Sequence, residues 1–212
     1  MLFSASAPGS LMILGEYSVL YGGKGIVCAI NKRIRVTIIP RSDSMFVIHS
    51  DLGTLKHSYE HLKIQIPFEF ILATLISQKK TEQIEFKKGC DIYIKAEFPS
   101  TLGLGSSAAV TVATLAALGK WLKKNWTHQQ LLQQAKDIII RIQGNGSGVD
   151  AAASIYGGLL MYEPCYDITQ SLTPELPLTV VYSGKKIKTS DAILKMQEQQ
   201  SEFPADQTDS IL

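Results

Sequence analysis

The 212-residue sequence has little excess of either charge, few cysteines and no long hydrophobic run. Its 21 basic and 19 acidic residues give a formal net charge of +2, which argues against nucleic acid or an anionic membrane as the main partner. The three cysteines, Cys28, Cys90 and Cys165, lack CxxC or Cys/His spacing, so zinc is not indicated and a reducing, cytoplasmic setting is favoured. No run approaches the length of a membrane span, and the first ten residues lack the basic segment of a signal peptide.

Two common nucleotide-binding signatures are also missing. No GxxxxGK[ST] occurs, which excludes a P-loop NTPase. Gly103–Ala108 matches a relaxed GxGxxA dinucleotide fingerprint, but the acidic residue expected about 20 positions later is replaced by Lys123, Lys124 and Asn125. The sequence therefore disfavours a dinucleotide-binding domain.

Hydrophobic residues make up 45% of the chain, enough to bury a core. Strands and helices interleave without the regular spacing of βαβ units, which predicts an α+β fold. Three prolines, Pro164, Pro174 and Pro177, predict a linker. Period-two alternation predicts strands over Ser4–Ala7, Arg33–Ile38, Asp91–Glu97, Leu159–Tyr162 and Leu178–Tyr182, and a hairpin of Met45–His49 with Leu55–Tyr59. Helical periodicity and capping signals predict helices over Pro67–Lys80, from the Gly103 loop to about Lys124, from Thr127 to Gly144, over Val149–Tyr156 and over Ser190–Gln200.

The segment Pro99–Val110, PSTLGLGSSAAV, follows a predicted strand and opens a predicted helix. Glycines let the backbone approach a phosphate closely, and the first N–H groups of a helix attract an anion. The two serine hydroxyls could bind phosphate oxygen or Mg²⁺. A structural strand–turn–helix, with small residues for tight packing, would have the same sequence. The segment is therefore either an anion-binding loop or a structural turn at this point.

Two other glycine-rich segments, Pro8–Gly23 and Gly144–Asp150, contain acidic residues. Asp150 is predicted in the first turn of a helix, where it could accept a proton from a substrate hydroxyl, or could serve only to stabilise the helix start. Glu16 follows an apolar run and is either a substrate ligand or a buried, paired structural acid.

Taken in order, the three segments resemble the motifs of the GHMP kinase superfamily, whose members phosphorylate small metabolites with ATP and Mg²⁺. PGSLMILGEYSVLYGG resembles the first motif, Pro99–Ser107 matches P-x-x-x-G-L-G-S-S, and Ser147–Asp150 matches the SGxD segment. The resemblance covers nearly the whole chain. It implies a GHMP-type N-terminal domain, similar to domain 2 of ribosomal protein S5, over residues 1–170, followed at 171–212 by the start of an incomplete ferredoxin-like domain.

Within the superfamily the chain most resembles the mevalonate kinase branch, with phosphomevalonate kinases close behind because of Gln143–Gly158 and Tyr17. The resemblance implies transfer of phosphate from ATP to mevalonate, giving 5-phosphomevalonate for isoprenoid precursor synthesis. It implies Asp150 as the base, Ser107 as the Mg²⁺ ligand, an ATP phosphate site formed by Pro99, Gly103, Leu104, Gly105, Ser106, Ser107 and Ala108, and an acceptor site formed by Ser10, Glu16, Tyr17 and Gly148.

Three departures from the family pattern stand beside this resemblance. Ser10 replaces the usual lysine or arginine, and Ile139 stands where mevalonate kinases carry a Mg²⁺-binding glutamate, with Asp137 the nearest acid. The third glycine-rich motif of the family is missing after Gly158. We therefore expect a C-terminally truncated kinase, with a non-catalytic nucleotide-binding remnant as the alternative. The sequence leaves open whether the chain forms a homodimer or is completed by a second chain.

Overall fold

The computed structural model describes residues 1–81, 88–165, 168–172 and 177–184. These residues form one mixed sheet covered by helices, which confirms the α+β class. The strands are β1 (Phe3–Leu14), β2 (Gly25–Pro40), β3 (Met45–Ser50), β4 (Gly53–Ser58), β5 (Cys90–Ala96), β6 (Leu159–Glu163) and β7 (Ile168–Leu172). The helices are α1 (Glu69–Thr81), α2 (Ser106–Trp121), α3 (His128–Gln143) and α4 (Val149–Tyr156), and short 3-10 turns occupy Ser18–Tyr21, Tyr59–His61 and Ser100–Leu102.

The long strand β2 organises the sheet. Strand β1 pairs antiparallel along one edge of β2, while β5 and β6 pair antiparallel with its two halves on the other edge. Strand β3 then pairs parallel with β5 and antiparallel with β4, and β7 closes the other end against β6. The alternation in β2 explains its position, because Ile34, Val36 and Ile38 are buried while Arg33 and Arg35 on the opposite face are exposed.

Helix α2 lies on the sheet against β1 and β2, with α4 beside it and α1 and α3 packed on its outer side. Ten of its 16 residues are buried, among them four alanines. Small side chains allow the close approach of a helix to a sheet. Because α2 has almost no polar face, it is buried in the centre of the domain. Thr111 and Thr114 remain satisfied there because each hydroxyl donates to the carbonyl four residues earlier, at 2.7 Å.

Several predicted boundaries are confirmed, and others differ, among them the start of β2, which is Gly25 rather than the predicted Arg33. The β3–β4 hairpin, α1, the capping box at Thr127 and the left-handed Gly144 that ends α3 lie where the sequence predicts them. The predicted short strand Ser4–Ala7 is wrong in extent: β1 continues to Leu14, because register shifts at Pro8/Ser10 and Met12/Leu14 allow pairing through the Pro8-Gly9 step.

Strand β7 was not predicted, since the segment around Pro164 resembles a linker and ITQSL shows little apolar alternation. Its backbone pairs fully with β6, so hydrogen bonding rather than side-chain pattern makes it a strand. Residues 177–183 belong to neither helix nor strand, although Leu178–Tyr182 was predicted as a strand. The predicted helix Ser190–Gln200 lies outside the described residues, and the division into two domains stays a prediction. No helix in the described part is long and apolar enough to cross a membrane.

Candidate active site

The glycine-rich loop before α2 presents the start of that helix to solvent. A 3-10 turn at Ser100–Leu102 leads into Gly103 and Gly105, whose φ values of 73° and 61° lie in the left-handed region. Helix α2 begins at Ser106, and the first backbone bond of the turn runs from Ala109 N–H to the Gly105 carbonyl at 3.0 Å. The N–H groups of the three preceding residues therefore have no acceptor within the helix and are available to an anion.

This loop is attached to the middle of β1. The Ser10 N–H donates to the Leu104 carbonyl at 3.1 Å. At Gly9, a Cβ would lie 2.6 Å from the Leu104 oxygen and 2.7 Å from the Phe98 ring. The absence of a side chain at Gly9 thus allows the loop to approach the strand closely enough for the backbone bond.

Asp150, the second residue of α4, contacts the same strand position. The Ser10 hydroxyl donates to Asp150 Oδ1 at 2.6 Å, and Ser10 is 1% exposed. Burial raises the pKa of the Asp150 carboxyl above its usual value, and the hydrogen bond from Ser10 partly opposes that increase. A carboxylate with a raised pKa is better suited to accept a proton near neutral pH than an exposed one.

The start of α4 is held by contacts on both sides. Ser154 Oγ donates to the Pro8 carbonyl at 2.8 Å in a buried bond, and Tyr162 Oη donates to the Ser147 carbonyl at 2.9 Å. Gly148 precedes the helix at φ 87°, and a Cβ there would lie 2.9 Å from the Tyr162 oxygen. These contacts anchor the backbone at the start of α4 to the sheet, but they do not involve the Asp150 side chain.

The structure does not bring every predicted acceptor residue to Asp150. Glu16 and Tyr17 lie on the turn after β1, and both are exposed. The alternative interpretation of Glu16 as a buried, paired acid is wrong. Neither side chain has a hydrogen bond to Ser10 or Asp150 among the described residues.

A cavity of about 420 Å³ lies beside the loop that precedes α4. Neither this cavity nor the basic side chain in its wall, Lys136 of α3, is predicted from the sequence; Lys136 donates to the Pro164 carbonyl at 3.4 Å. The one signal in the sequence is the helical spacing, which places Lys136, in the middle of α3, four residues after the buried Leu132. The walls are formed by Val19–Gly22, Lys136, Asn145–Ser147 and Pro164–Cys165.

Acidic ligands for a divalent metal are scarce at this site. Ile139, at the position where the family resemblance implies a glutamate, is 8% exposed, and Asp137 points elsewhere, accepting a bond from Gln133 at 2.9 Å. No cluster of three His, Cys, Asp or Glu side chains capable of holding a metal occurs in the described ranges. Ser107 offers one hydroxyl oxygen at the start of α2.

Known proteins match the part of the chain that contains the glycine-rich loop before α2 and the segment with Asp150. The family model for the GHMP kinases N terminal domain matches residues 70–158. The chain carries a GHMP kinase N-terminal domain. It is 35% identical to mevalonate kinase of Archaeoglobus fulgidus over 158 residues, which is 74% of this chain and 52% of that protein. It is 31% identical to mevalonate kinase of Thermococcus sibiricus over 211 residues, 94% of this chain and 63% of the relative.

The solved structures show the same fold. The crystal structure of the Methanococcus jannaschii mevalonate kinase superposes with a TM-score of 0.74 at 23% identity, covering 82% of this chain and 57% of that one. The chain thus spans between half and two thirds of the length of these curated relatives. Within the GHMP domain, the matched residues include the Gly103 loop and Asp150, while Ser10 on β1 lies before the matched span.

Proposed function

We propose that this chain is part of an ATP-dependent kinase that phosphorylates a small-molecule hydroxyl, with mevalonate as the acceptor and 5-phosphomevalonate as the product. The ATP phosphates bind the Pro99–Ala109 loop, which includes the N-terminus of α2. Asp150 orients the acceptor hydroxyl and accepts its proton as the γ-phosphoryl group is transferred. The similarity to mevalonate kinases supports the choice of acceptor.

One observation carries this proposal: the candidate base and the candidate phosphate site meet at the same residue of β1. Ser10 bonds to the loop through its backbone N–H and to Asp150 through its hydroxyl. Phosphoryl transfer depends chiefly on positioning the acceptor against the phosphate and on stabilising charge. Two groups fixed to one strand residue satisfy the first of these requirements.

The loop fits a polyphosphate well. A Cβ at Gly103 would point into open space, so the backbone there is accessible to a ligand. The hydroxyls of Ser106 and Ser107 have no hydrogen-bond partner among the described residues. Mg²⁺ would be held by Ser107, together with phosphate oxygens and water, and would supply neutralisation of the phosphate charge.

The cavity beside Ser147 is a suitable place for the rest of the acceptor. It borders the loop that leads into Asp150, and Lys136 gives it a positive charge that suits a carboxylate or a phosphate. Replacing Lys136 with glutamine is expected to raise the acceptor KM about tenfold or more, with little change in the KM for ATP.

The test is an ADP-release assay of the 212-residue chain with Mg-ATP and either mevalonate or 5-phosphomevalonate. We expect turnover with mevalonate and a loss of at least about 100-fold in Asp150→Asn, the range typical of a missing general base. Asp137→Asn is the matched control, because it removes an exposed carboxylate of α3 that accepts a hydrogen bond from Gln133 and has none with Ser10 in the described structure. Faster turnover of 5-phosphomevalonate would reassign the acceptor, and full activity in Asp150→Asn would refute the base.

A second function is favoured by one specific observation, the buried Ile139 at the expected position of a metal-binding acid. We propose as the alternative a domain that binds nucleotide without transferring phosphate. It predicts that Mg-ATP raises the Tm of the chain while neither acceptor releases ADP. Enzyme-like turnover, or failure to bind ATP, would exclude it.

The three cysteines form no disulfide in the structure, in keeping with the reducing cytoplasmic location that we propose. A homodimer, or a partner chain that completes the kinase, remains a prediction, which sedimentation of the purified chain would test.

A further inference from the structure

Ser10 is buried at the junction of three elements that the proposed reaction needs. Its N–H holds the Gly103–Gly105 loop through Leu104, and its hydroxyl holds the Asp150 carboxylate. Beyond these bonds, the Gly105 backbone lies against the Ser10 side chain so closely that a Cβ at Gly105 would overlap Ser10 Oγ. The hydroxyl is thus confined between the phosphate loop and the carboxylate.

This confinement indicates a role different from that of a substrate ligand. With 1% of its surface exposed, Ser10 has almost no area to offer an acceptor. A longer side chain in the same direction would displace either the Gly105 backbone or Asp150. The position is therefore built for a short hydroxyl donor.

We propose that Ser10 is a positioning residue for phosphoryl transfer, which keeps the Asp150 carboxylate in a constant orientation relative to the phosphate loop. The inference rests on the proposed function and replaces the acceptor-binding role that the family resemblance implies for Ser10. Its hydroxyl is the only hydrogen-bond partner of the Asp150 side chain among the described residues. Without it, the carboxylate is free to rotate away from the acceptor hydroxyl.

The test compares Ser10→Ala, Ser10→Cys and Ser10→Thr in the 212-residue chain. Alanine removes the donor, cysteine offers only a weak donor of similar shape, and threonine restores a hydroxyl. All three keep the backbone N–H that holds the loop. We expect kcat to fall about 10- to 100-fold in Ser10→Ala and Ser10→Cys, with the KM for ATP within about twofold of wild type, and to recover at least partly in Ser10→Thr.

Ser154→Ala is the matched control. It removes another buried serine hydroxyl that joins α4 to β1, through the Pro8 carbonyl, without touching Asp150. We expect it to lower the Tm but to leave kcat and its pH profile close to wild type. If Ser154→Ala loses kcat as severely as Ser10→Ala at equal folded fraction, the effect is general loosening of α4 and the positioning role is overturned.

A readout without turnover separates this inference from the proposed function. The chain is labelled with ¹³C at its aspartate carboxyls and studied by NMR. The Asp150 signal is assigned by its absence in Asp150→Asn, and its chemical shift is followed against pH in wild type and in each variant. The inference predicts that Asp150 titrates at higher pH in Ser10→Ala and returns toward wild type in Ser10→Thr, because the hydroxyl stabilises the charged form. An unchanged titration in Ser10→Ala overturns it, whether or not the chain is active; a shifted titration in an inactive chain refutes only the proposed catalysis.

Discussion

A pair of glycine substitutions in the glycine-rich loop before α2 provides a quantitative test of the site geometry. Gly103 and Gly105 both have left-handed φ values, 73° and 61°, so alanine at either position incurs backbone strain of about 1–2 kcal/mol. The two differ in their surroundings. A Cβ at Gly103 meets nothing within 4 Å, whereas a Cβ at Gly105 overlaps Ser10 Oγ and lies 3.2 Å from Ser10 Cβ.

Gly105→Ala must therefore displace Ser10 or the loop. Displacing Ser10 removes its hydrogen bond to the Asp150 carboxylate, which contributes about 1.5–3 kcal/mol for a charged acceptor. Adding the strain gives a loss of about 2.5–5 kcal/mol in the free energy of unfolding for Gly105→Ala, against about 1–2 kcal/mol for Gly103→Ala. The larger loss is a substantial part of the stability of a typical domain, about 5–15 kcal/mol.

Urea denaturation without nucleotide, followed by circular dichroism, measures both values. Equal losses for the two variants would contradict the contact between Gly105 and Ser10. A double-mutant cycle gives a second check: in a Ser10→Ala background the excess cost of Gly105→Ala should largely disappear, with a coupling of at least about 1 kcal/mol. Strict additivity would show that the clash is with another part of the protein.

Three further predictions concern stability and reactivity. The pKa of Asp150 is raised in the fold, so its contribution to stability is complete at acidic pH and is lost as pH rises through that pKa. Asp150→Asn does not titrate, so its Tm relative to wild type should increase as pH rises above the usual range of an aspartate, and a difference independent of pH would contradict this. Thr127→Ala removes the bond from the Gln130 N–H in the α3 capping box and should lower the free energy of unfolding by about 1 kcal/mol in urea denaturation, while no change would show that the cap is dispensable. Burial raises the pKa of the Cys90 thiol, so Cys90 should react with Ellman's reagent only after unfolding, whereas the exposed Cys165 should react at once. Rapid labelling of Cys90 in the native chain would contradict its place in the core.

Local signals predicted much of the framework correctly. The Thr127 capping box, the end of α3 at Gly144, the start of α4 at Val149 and the β3–β4 hairpin depend on bonds between residues a few positions apart. Such local interactions require particular residue types at fixed spacings, which can be recognised in the amino-acid sequence. The extent of β1 and the existence of β7 escaped prediction because both depend on pairing with a distant strand.

For the candidate active site, the amino-acid sequence is enough to predict which groups are available: a glycine-rich loop before a helix, two serine hydroxyls and a carboxylate at Asp150. How these groups are placed relative to one another depends on the tertiary fold. Ser10 and Asp150 are 140 residues apart in the chain and 2.6 Å apart in the fold, because β1 carries the first and α4 packs the second against it. Contacts of such long range arise from the packing of whole elements, so no local pattern in the sequence could reveal that a serine in β1 holds the candidate base.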